Sequence, residues 1–493
     1  VTATALTNTV FNFNGSAETD GAFTITTGGS AAHIIVLGNG SDTYTSTNTA
    51  GVNTVTATAG NNTITTAAGA DIITLGSGSD TVSSGAAADT ILSTTANLNL
   101  NDTIDGGAGT DILQLTTDGS TVIDADFTNV DNVETLTTTA DAQMTSATIG
   151  TLAAAAGLAT VTMADTSAAD TLVVAAGFTN NLTVNLPSDA AAGNTITATN
   201  YTGVLTVAAD ATDLDSNAST IAGGTGTADE LQVTGSAALT AILTASMTGV
   251  EKITAVGTAG GFSLTTADAS IAAGASLTID TTAGDDDAFT INAALESNGT
   301  VTINGDGSGA YIVTLGAGAD TYSNATGSGV HTITGTGGAN TITTGTGNDI
   351  ITPGTGADTI TANAGSNIIN FSAAAQHVAN SVTITDWTTG TYEIDFALAQ
   401  LNSGAQLIDI FDSGDAAAGD VDVQIITGAT DLGTMATAAG TLMIAVNFTA
   451  GIASSDALET ALEYGGDLQL TVGGATAVGD RFLVAYDDTV STC

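Results

Sequence analysis

Basic residues are almost absent from this chain of 493 residues, which contains only 2 Lys and Arg together and 3 His against 50 Asp and Glu. The formal net charge is therefore −48. A nucleic-acid-binding protein is excluded, because such binding depends on basic groups that neutralise phosphates. Docking on anionic lipid through a basic patch is disfavoured for the same reason.

Cysteine and long apolar runs are also scarce. The one Cys is Cys493, so no intrachain disulfide forms. Three isolated His (His33, His331, His377) cannot assemble a zinc site with two or three His ligands. No apolar run reaches the roughly 18 residues of a membrane-spanning helix, so membrane insertion is not expected. The chain begins at Val1 with no visible signal peptide, so we expect either a removed start or export by a route read elsewhere.

Small residues and turns dominate what is present. Hydrophobic residues make up 43% of the chain, which is too many for an acidic disordered tail. Aromatic residues make up only 4%, so the core must be thin. The 60 Gly indicate many tight turns. The length indicates roughly two to four domains or one long stack of repeats.

A nine-residue repeat begins near Gly38. Its copies read LGNGSDTYT, TAGVNTVTA, TAGNNTITT, AAGADIITL, GSGSDTVSS and GAAADTILS. One polar residue, the anchor, occupies the same place in each copy, and a large apolar residue follows two positions later. The anchors are Asp42, Asn53, Asn62, Asp71, Asp80 and Asp89, separated by steps of 11, 9, 9, 9 and 9. The pattern is G-x-G-x-D-x-U, where U is large and apolar.

The whole repeat block occurs a second time near Leu315. Its anchors are Asp320, His331, Asn340, Asp349, Asp358 and Asn367. Each follows its counterpart at a constant offset of 278 in the numbering, and the irregular first step of 11 is kept. We interpret this as an internal duplication. A low-complexity linker is disfavoured, because linkers do not keep Asp and the apolar residue in register.

The period of nine predicts the fold class. A Gly-rich turn of about six residues is followed by a strand of about three, and two nonapeptides make one coil of a solenoid. The prediction is an all-β protein with calcium-binding parallel β-roll or β-solenoid segments, joined by further β-solenoid or β-sandwich domains. The predicted domains are a first repeat block (1–97), a middle β region (98–280), a second repeat block (281–375) and a C-terminal β-domain (376–493).

The middle region carries a related pattern twice. DTIDGGAGTDILQL is followed by NVDNVETL, and later AGGTGTADELQV is followed by TGVEKIT. Both contain a Gly-rich turn, an acidic residue and an apolar strand, so more β-structure is predicted there. LAAAAGL, from Leu152, predicts a short helix.

A turn of this kind presents backbone carbonyls and one carboxylate to the same point, which suits Ca²⁺ with its many hard oxygen ligands. Mg²⁺ fits less well because it demands a tight octahedron. The alternative is a ladder of Asp and Asn that only caps turns. The predicted calcium-binding residues are Gly38, Gly40, Asp42, Asn53, Asn62, Gly69, Asp71, Gly76, Gly78, Asp80, Asp89, Asp102, Gly107, Gly109, Asp111, Asp229, Gly316, Gly318, Asp320, Asn340, Gly345, Gly347, Asp349, Gly354, Gly356, Asp358 and Asn367.

Since one coil takes two nonapeptides, calcium should bridge anchors that are two nonapeptides apart and not consecutive ones. The predicted pairs are Asn53–Asp71, Asn62–Asp80, Asp71–Asp89, His331–Asp349, Asn340–Asp358 and Asp349–Asn367. By charge count, Asp71–Asp89 should bind most tightly and His331–Asp349 least tightly. Asp71 belongs to two pairs and Asp89 to one, so Asp71→Ala is predicted to cost more affinity than Asp89→Ala.

GNGSDT, GSGSDT, GTGNDI and GTGADT resemble the calcium-binding nonapeptides of the RTX family. Together with DTIDGGAGTDILQL, NVDNVETL and the later ITDWTTGTYEIDF, they resemble the RTX-type surface-layer proteins of Gram-negative bacteria, of the Caulobacter kind. That resemblance implies type I secretion and calcium-dependent crystallisation on the cell surface. From that resemblance we would expect an N-terminal anchoring region and a chain that runs on beyond Cys493, and neither is recognised within residues 1–493.

These features predict a structural protein without enzymatic activity. H-E-x-x-H and G-x-S-x-G are both missing, so no catalytic residue is assigned. The predicted partners are further copies of the chain, in a lattice or filament, and cell-surface polysaccharide. The predicted location is the extracellular surface of a Gram-negative bacterium. The alternative is an RTX adhesin, or an extracellular filament or stalk that binds glycan or another surface.

Overall fold

The computed structural model describes residues 1–4, 6, 9–139, 142–164, 168–186, 193–210, 214, 219–234, 239–242, 247–256, 261–282, 288–305, 307–371, 382–386, 391–396, 441–447 and 481–487. The chain divides into two units, Val1–Ala272 and Ala273–Cys493.

The first unit consists almost entirely of short strands. They are β1 (Thr2–Ala3), β2 (Phe11–Asn14), β3 (Thr24–Gly29), β4 (His33–Val36), β5 (Thr43–Asn48), β6 (Asn53–Thr56), β7 (Thr63–Thr65), β8 (Ile72–Thr74), β9 (Thr81–Ser83), β10 (Thr90–Ser93), β11 (Thr103–Asp105), β12 (Ile112–Leu115), β13 (Ser120–Val122), β14 (Val130–Asp131), β15 (Thr135–Thr138), β16 (Met144–Ile149), β17 (Thr160–Thr162), β18 (Thr171–Val174), β19 (Leu182–Asn185), β20 (Thr195–Thr197), β21 (Leu205–Asp210), β22 (Thr220–Ala222), β23 (Glu230–Thr234), β24 (Leu239–Ile242), β25 (Met247–Thr248), β26 (Lys252–Val256) and β27 (Phe262–Thr265).

The predicted helix after Leu152 is confirmed as α1 (Thr151–Ala155). The N-terminus of α1 is capped by Asp124 from the preceding coil, whose Oδ1 accepts the backbone N–H of Gly150 at 2.7 Å and of Ala153 at 2.9 Å. The described residues contain no helix that is long and apolar enough to cross a membrane.

The strands of the first unit wind as a parallel β-solenoid. One sheet runs β1-β3-β5-β7-β9-β11-β14, and the facing sheet runs β2-β4-β6-β8-β10-β12-β15-β17-β19-β21-β23-β26. A third runs β13-β16-β18-β20-β22-β25, and β24 pairs with β27. Consecutive strands along the repeats alternate between sheets, and each pairs with the strand one coil away. The predicted solenoid is thus confirmed, and its middle region is a solenoid rather than a sandwich.

The second unit has the same architecture. Its described strands are β28 (Ser276–Asp280), β29 (Phe289–Asn292), β30 (Thr300–Asn304), β31 (Tyr311–Thr314), β32 (Thr321–Ser323), β33 (Thr332–Thr334), β34 (Thr341–Thr343), β35 (Ile350–Thr352), β36 (Thr359–Thr361), β37 (Ser366–Phe371), β38 (Thr383–Ile384), β39 (Thr391–Phe396), β40 (Thr441–Asn447) and β41 (Arg481–Asp487). The even strands β28 to β38 form one parallel sheet and the odd strands β29 to β39 another, while β40 pairs with β41.

Strand register fixes the length of each coil. Thr63 pairs with Thr81, and Thr332 pairs with Ile350, so a coil takes two nonapeptides in the repeat blocks, as predicted. Coils of the middle region are longer, since Thr135 pairs with Thr160. The additional length lies between β15 and β17, in the longer strand β16, in α1 and in the turns around them, because β15 and β17 themselves remain short strands.

In the nonapeptide coils each short strand contributes one apolar side chain to the core. Within each three-residue strand only the central side chain faces inward, because successive side chains of a strand point to opposite faces. Ile64 and Ile73 are fully buried in this way, and Val82 is 1% exposed. Paired strands stack these residues in columns, of which Val55, Ile73 and Ile91 form one. Buried aliphatic columns and parallel ladders therefore hold the coils together.

Some predictions lie outside these observations. The four domain boundaries are not tested by the division into two units and stay predictions. Trp387, His377 and Cys493 lie outside the described residues.

Candidate calcium-binding turns

The predicted anchors lie where a turn meets a strand, most of them just before the strand, while Asn53 and Asn367 are already within β6 and β37. Their side chains are buried, none more than 3% exposed: Asp42, Asn53, Asn62, Asp71, Asp80, Asp89, Asp102, Asp111, Asp229, Asp320, His331, Asn340, Asp349, Asp358 and Asn367. A buried carboxylate is costly unless hydrogen bonds or a cation compensate its charge. The partners of these oxygens therefore decide what the turns can do.

The anchors form hydrogen-bonded ladders along each row of turns. The backbone N–H of Asn53 donates to Asp71 Oδ1 at 2.6 Å, that of Asp71 to Asp89 Oδ1 at 2.7 Å, and that of Asp89 to Asp111 Oδ1 at 2.7 Å. We call this row (Asn53, Asp71, Asp89, Asp111) the second edge. One oxygen of each carboxylate is thus used to tie neighbouring coils together.

The opposite row of turns, which we call the first edge (Asp42, Asn62, Asp80, Asp102), has the same ladder. The N–H of Asn62 donates to Asp80 Oδ1 at 3.0 Å, and that of Asp80 to Asp102 Oδ1 at 2.9 Å. The structure therefore brings together the predicted neighbours, two nonapeptides apart, in the first unit.

The second unit repeats both rows. The N–H of His331 donates to Asp349 Oδ1 at 2.8 Å, and that of Asp349 to Asn367 Oδ1 at 3.0 Å. On the other row, the N–H of Asn340 donates to Asp358 Oδ1 at 2.8 Å. All six predicted pairs are therefore neighbours on adjacent coils.

The other carboxylate oxygen separates two kinds of anchor. In one kind, Oδ2 is buried and no described residue offers it a hydrogen bond of acceptable geometry; these anchors are Asp71, Asp89, Asp111, Asp320, Asp349 and Asp358. Burial, with a smaller contribution from the neighbouring carboxylates Asp71 and Asp111, raises the pKa of Asp89 to about 7. Buried oxygens of this kind, on adjacent coils, fit a divalent cation that would neutralise both neighbours.

In the other kind of anchor, the turn itself satisfies Oδ2. Asp42 Oδ2 accepts the N–H of Gly38 at 2.9 Å, and Asp80 Oδ2 accepts that of Gly76 at 3.2 Å. Asp229 Oδ2 accepts the N–H of Gly224 at 2.6 Å. These carboxylates are bonded as the capping hypothesis predicts. The capping alternative therefore describes these turns, whereas calcium binding at anchors of the first kind stays a prediction.

Turn glycines bring backbone carbonyls into close contact between coils. A Cβ on Gly40 would lie 1.9 Å from Gly21 O, and one on Gly356 would lie 1.5 Å from Gly338 O. An added Cβ would likewise lie within 2.3 Å of a backbone carbonyl oxygen at Gly69, Gly78, Gly107, Gly109, Gly318, Gly345 and Gly347. Gly38, Gly76, Gly316 and Gly354 have looser contacts, from 2.7 to 3.1 Å. In the described residues no three acidic, His or Cys side chains converge on one point, so the turn carbonyls would have to complete any calcium site.

Sequence reasoning missed anchors in the middle region. Asp170 Oδ1 accepts the N–H of Met144 at 2.7 Å, and Asn194 Oδ1 accepts the N–H of Asp170 at 2.8 Å, in the same ladder geometry. Their local signature was visible, because each directly precedes a strand that begins with Thr, in ADTLV and GNTIT. A search for a repeat period of nine residues missed them because their spacing is wider.

Glutamates end two of the ladders. Glu134 Oε2 accepts the N–H of Asp111 at 2.8 Å, and Glu251 Oε2 accepts the N–H of Asp229 at 2.9 Å. These are the Glu residues of NVETL and GVEKI, the two motifs that follow the Gly-rich turns of the middle region. The motif thus places a longer acidic side chain in the anchor slot of the coil that follows each Gly-rich turn.

His331 takes an anchor slot without supplying an anionic oxygen. Burial lowers its pKa, although Asp349 opposes this shift, and its Nδ1 lies 3.7 Å from Asp349 Oδ1. Its ring packs edge-on against Tyr311 and Tyr322. A neutral imidazole in this slot agrees with the prediction of a weak site, which itself stays a prediction.

The prediction that Asp89 belongs to one pair needs a correction, because the ladder continues into the longer coil that follows. The ranking of the six predicted pairs stays a prediction. Asp89 also adjoins Asp111, and Asp80 adjoins Asp102. Asp89 therefore lies between two carboxylates, whereas Asp71 lies between Asn53 and Asp89.

We accordingly expect Asp89→Asn to cost more calcium affinity than Asp71→Asn. Asp89 takes part in two carboxylate–carboxylate pairs, and each loss should weaken binding by about 10–100-fold, the range for groups that support metal sites. Competition titration of the full chain against a chromophoric chelator measures this. Asp118→Asn, which removes one exposed charge, is the control. Equal losses, or a greater loss for Asp71→Asn, would contradict this order.

A comparison with protein-family models matches the RTX calcium-binding nonapeptide repeat at residues 47–92, 101–115, 326–360 and 334–369. These ranges contain turns of both edges in both units. RTX nonapeptide repeats bind calcium, and calcium is accordingly the cofactor of these turns. A comparison with curated proteins and one with solved structures found no match.

Proposed function

We propose that this protein is a structural, self-assembling component of an extracellular layer on the surface of a Gram-negative bacterium, ordered by calcium. RTX repeats are typical of secreted, calcium-binding proteins. The observation that carries the assembly proposal is a duplicated apolar patch on the outer surface of the solenoid, present once in each unit.

The patch consists of outward side chains that a solvated sheet does not require. In the first unit Ile34 and Ile72 are 46% and 39% exposed, and they flank Thr54 on adjacent strands of one sheet. Val52, in the neighbouring turn, is 41% exposed. We call Ile34, Val52 and Ile72 the first patch.

Ile312, Val330 and Ile350 form the second patch, and they are 53%, 52% and 37% exposed. Each is the counterpart of a first-patch residue in the internal duplication. Aliphatic side chains in registered rows are suited to flat contact with another copy of the same surface. A chain with two patches of one kind can contact two other copies, so its assembly continues as an open array instead of closing as a dimer.

Calcium is the second requirement for such an array. Copies that each carry a net charge of −48 repel one another at close range. Cations bound along the turns reduce that charge. Calcium therefore serves the fold and the association of copies together.

We expect the full chain to form sheets or filaments in calcium, and the patch variants to stop at defined sizes. Ile34→Thr/Ile72→Thr leaves one patch and should stop growth at dimers. The same change at Ile312 and Ile350 as well should leave monomers. Thr keeps the strand propensity of these outward positions. Light scattering and negative-stain microscopy report the result.

Val256→Thr is the control, since Val256 is 38% exposed but lies outside the duplicated block and belongs to neither patch. Normal arrays from this control and smaller species from the patch variants support the proposal. A wild-type chain that is monomeric at every calcium concentration refutes assembly and favours the adhesin or stalk.

A further inference from the structure

We infer that the second repeat block begins with an additional cation site, formed by Glu296 together with Asp320. The repeat pattern does not predict this site, because Glu296 is not an anchor. The inference concerns calcium binding by a single chain and does not depend on the proposed assembly.

The first turn of this block lacks an anchor. Its anchor slot holds Val301, whose N–H donates to Asp320 Oδ1 at 2.7 Å as an anchor's N–H would. Val301 has no side-chain oxygen, so the repeat alone gives Asp320 no acidic neighbour on the preceding coil. Any cation beside Asp320 needs another ligand there.

Glu296, which precedes Val301 in the same turn, supplies a carboxylate. It is only 1% exposed. Its Oε1 accepts the N–H of Asn298 at 3.0 Å and of Gly299 at 2.7 Å. Its Oε2 is buried and has no hydrogen-bond partner in the described part of the chain. One oxygen therefore holds the turn in shape while the other remains for a ligand.

Asp320 is a nearby residue that also buries a carboxylate oxygen. Its Oδ2 is also buried without a hydrogen bond of acceptable geometry among the described residues, and Asp320 is 1% exposed. Both groups adjoin Gly316: an added Cβ there would lie 2.9 Å from Glu296 O and 3.1 Å from Glu296 Cβ, and the backbone N–H of Gly316 faces the Asp320 carboxylate. Burial raises the pKa of Asp320, and the negative charge of Glu296 acts in the same direction, so the two carboxylates are close enough to interact.

Two buried carboxylates without a basic partner are stabilised in their ionised form by a cation. The chain has almost no positively charged side chains that could serve, since Lys and Arg together number 2. A divalent ion would satisfy both free oxygens at once, and turn carbonyls such as Gly299 O lie on the same row. Oxygen-only ligands from a loop favour Ca²⁺ over Mg²⁺.

The duplicated block repeats this arrangement in a weaker form. Glu18 is the counterpart of Glu296, and its Oε1 likewise accepts the N–H groups of its own turn, from Asp20 at 2.6 Å and from Gly21. Its Oε2 also has no partner within the described ranges. Here, however, Asp42 Oδ2 accepts a well-formed hydrogen bond from Gly38 at 2.9 Å, whereas Gly316 makes only a poorer one to Asp320, so the first unit's site should bind less tightly.

The test is a calcium count on the full chain with Glu296→Gln. Gln keeps an oxygen that accepts from Asn298 and Gly299, but it removes the negative charge. Equilibrium dialysis followed by metal analysis should show one calcium ion fewer per chain than wild type under limiting calcium. Asp118→Asn removes an exposed charge elsewhere and should leave the count unchanged.

A crystal structure of the wild-type chain with calcium tests the geometry directly. An ion about 2.3–2.6 Å from both Glu296 Oε2 and Asp320 Oδ2 is expected. An unchanged count in Glu296→Gln, or a wild-type structure with ions at other turns but none between these two oxygens, overturns the inference. Should Glu296→Gln fail to fold, the wild-type structure still decides. A wild-type chain that binds this ion and yet stays monomeric would count against the proposed function alone.

Discussion

Removing calcium from the full chain should abolish most of its β-structure. Six anchors bury a carboxylate oxygen without a hydrogen-bond partner in the described residues, and each charge becomes uncompensated when the cation leaves. The free energy of binding, which stabilises only the folded state, is lost at the same time. Extracellular calcium modules bind at about 10⁻⁴–10⁻³ M, so the transition should occur near those concentrations.

Far-ultraviolet circular dichroism during a chelator titration measures this effect, and metal analysis confirms that calcium is gone. Adding calcium back should restore the β-spectrum, while an equal concentration of magnesium should not. A β-spectrum that is unchanged in fully calcium-free protein would show that the turns are capped without metal.

The calcium-free chain should also be more stable at about pH 5 than at about pH 8. Burial raises the pKa of Asp89 from 3.8 to about 7, and it raises the pKa of Asp71 and of Asp358 as well. Between those values the folded chain binds protons that the unfolded chain has released, so the free energy of unfolding falls as pH rises. Calcium reverses the trend because it binds the ionised carboxylates. Far-ultraviolet circular dichroism at both pH values, with and without calcium, measures this, because more β-structure should remain in the calcium-free chain at about pH 5 than at about pH 8.

The second large effect is expected at a turn glycine. Gly338→Ala should destabilise the folded chain by about 3 kcal/mol, the upper end of the usual cost of overpacking. The new Cβ would lie 1.8 Å from Gly318 O and 2.3 Å from its carbon, and neither backbone atom has room to move between stacked coils. Gly338 also has a φ of +73°, which disfavours any residue with a Cβ.

Gly337→Ala, at the adjacent residue, is the matched control. Its Cβ would meet nothing closer than Ala317 Cα at 3.4 Å. Because Ala reduces the freedom of the unfolded chain, the change should be neutral or stabilise by up to about 1 kcal/mol. Denaturant unfolding in saturating calcium gives both values. Similar losses in the two variants would show that this row of turns is looser than the described contacts indicate.

The period of nine was sufficient to predict the nonapeptide blocks from the sequence. An anchor such as Asp71 and an apolar residue such as Ile73 recur in fixed register, and each has a single place in a coil of two nonapeptides. The solenoid, its inward columns and the six neighbouring anchor pairs all follow from that register.

The rest could not be predicted because the coils change length. The step from Asp89 to Asp111 is already longer than two nonapeptides, and beyond it the turns vary, so Asp170 and Asn194 keep their ladder bonds but not their period. Glu296 escaped for a different reason. Its carboxylate reaches the ladder from another position in the turn, and only three-dimensional contacts reveal a substitution of that kind.

Strand pairing between successive coils has a consequence for how the chain folds. Thr63 finds its partner Thr81 only one coil later in the chain, and in the longer coils Thr135 likewise pairs with Thr160 of the next coil. Contact order is therefore low for a parallel β protein, and each new coil adds to a template already formed. A chain that reaches a calcium-containing solution one end first can therefore fold coil by coil from that end. Each coil can close as soon as its two turns and two strands have arrived.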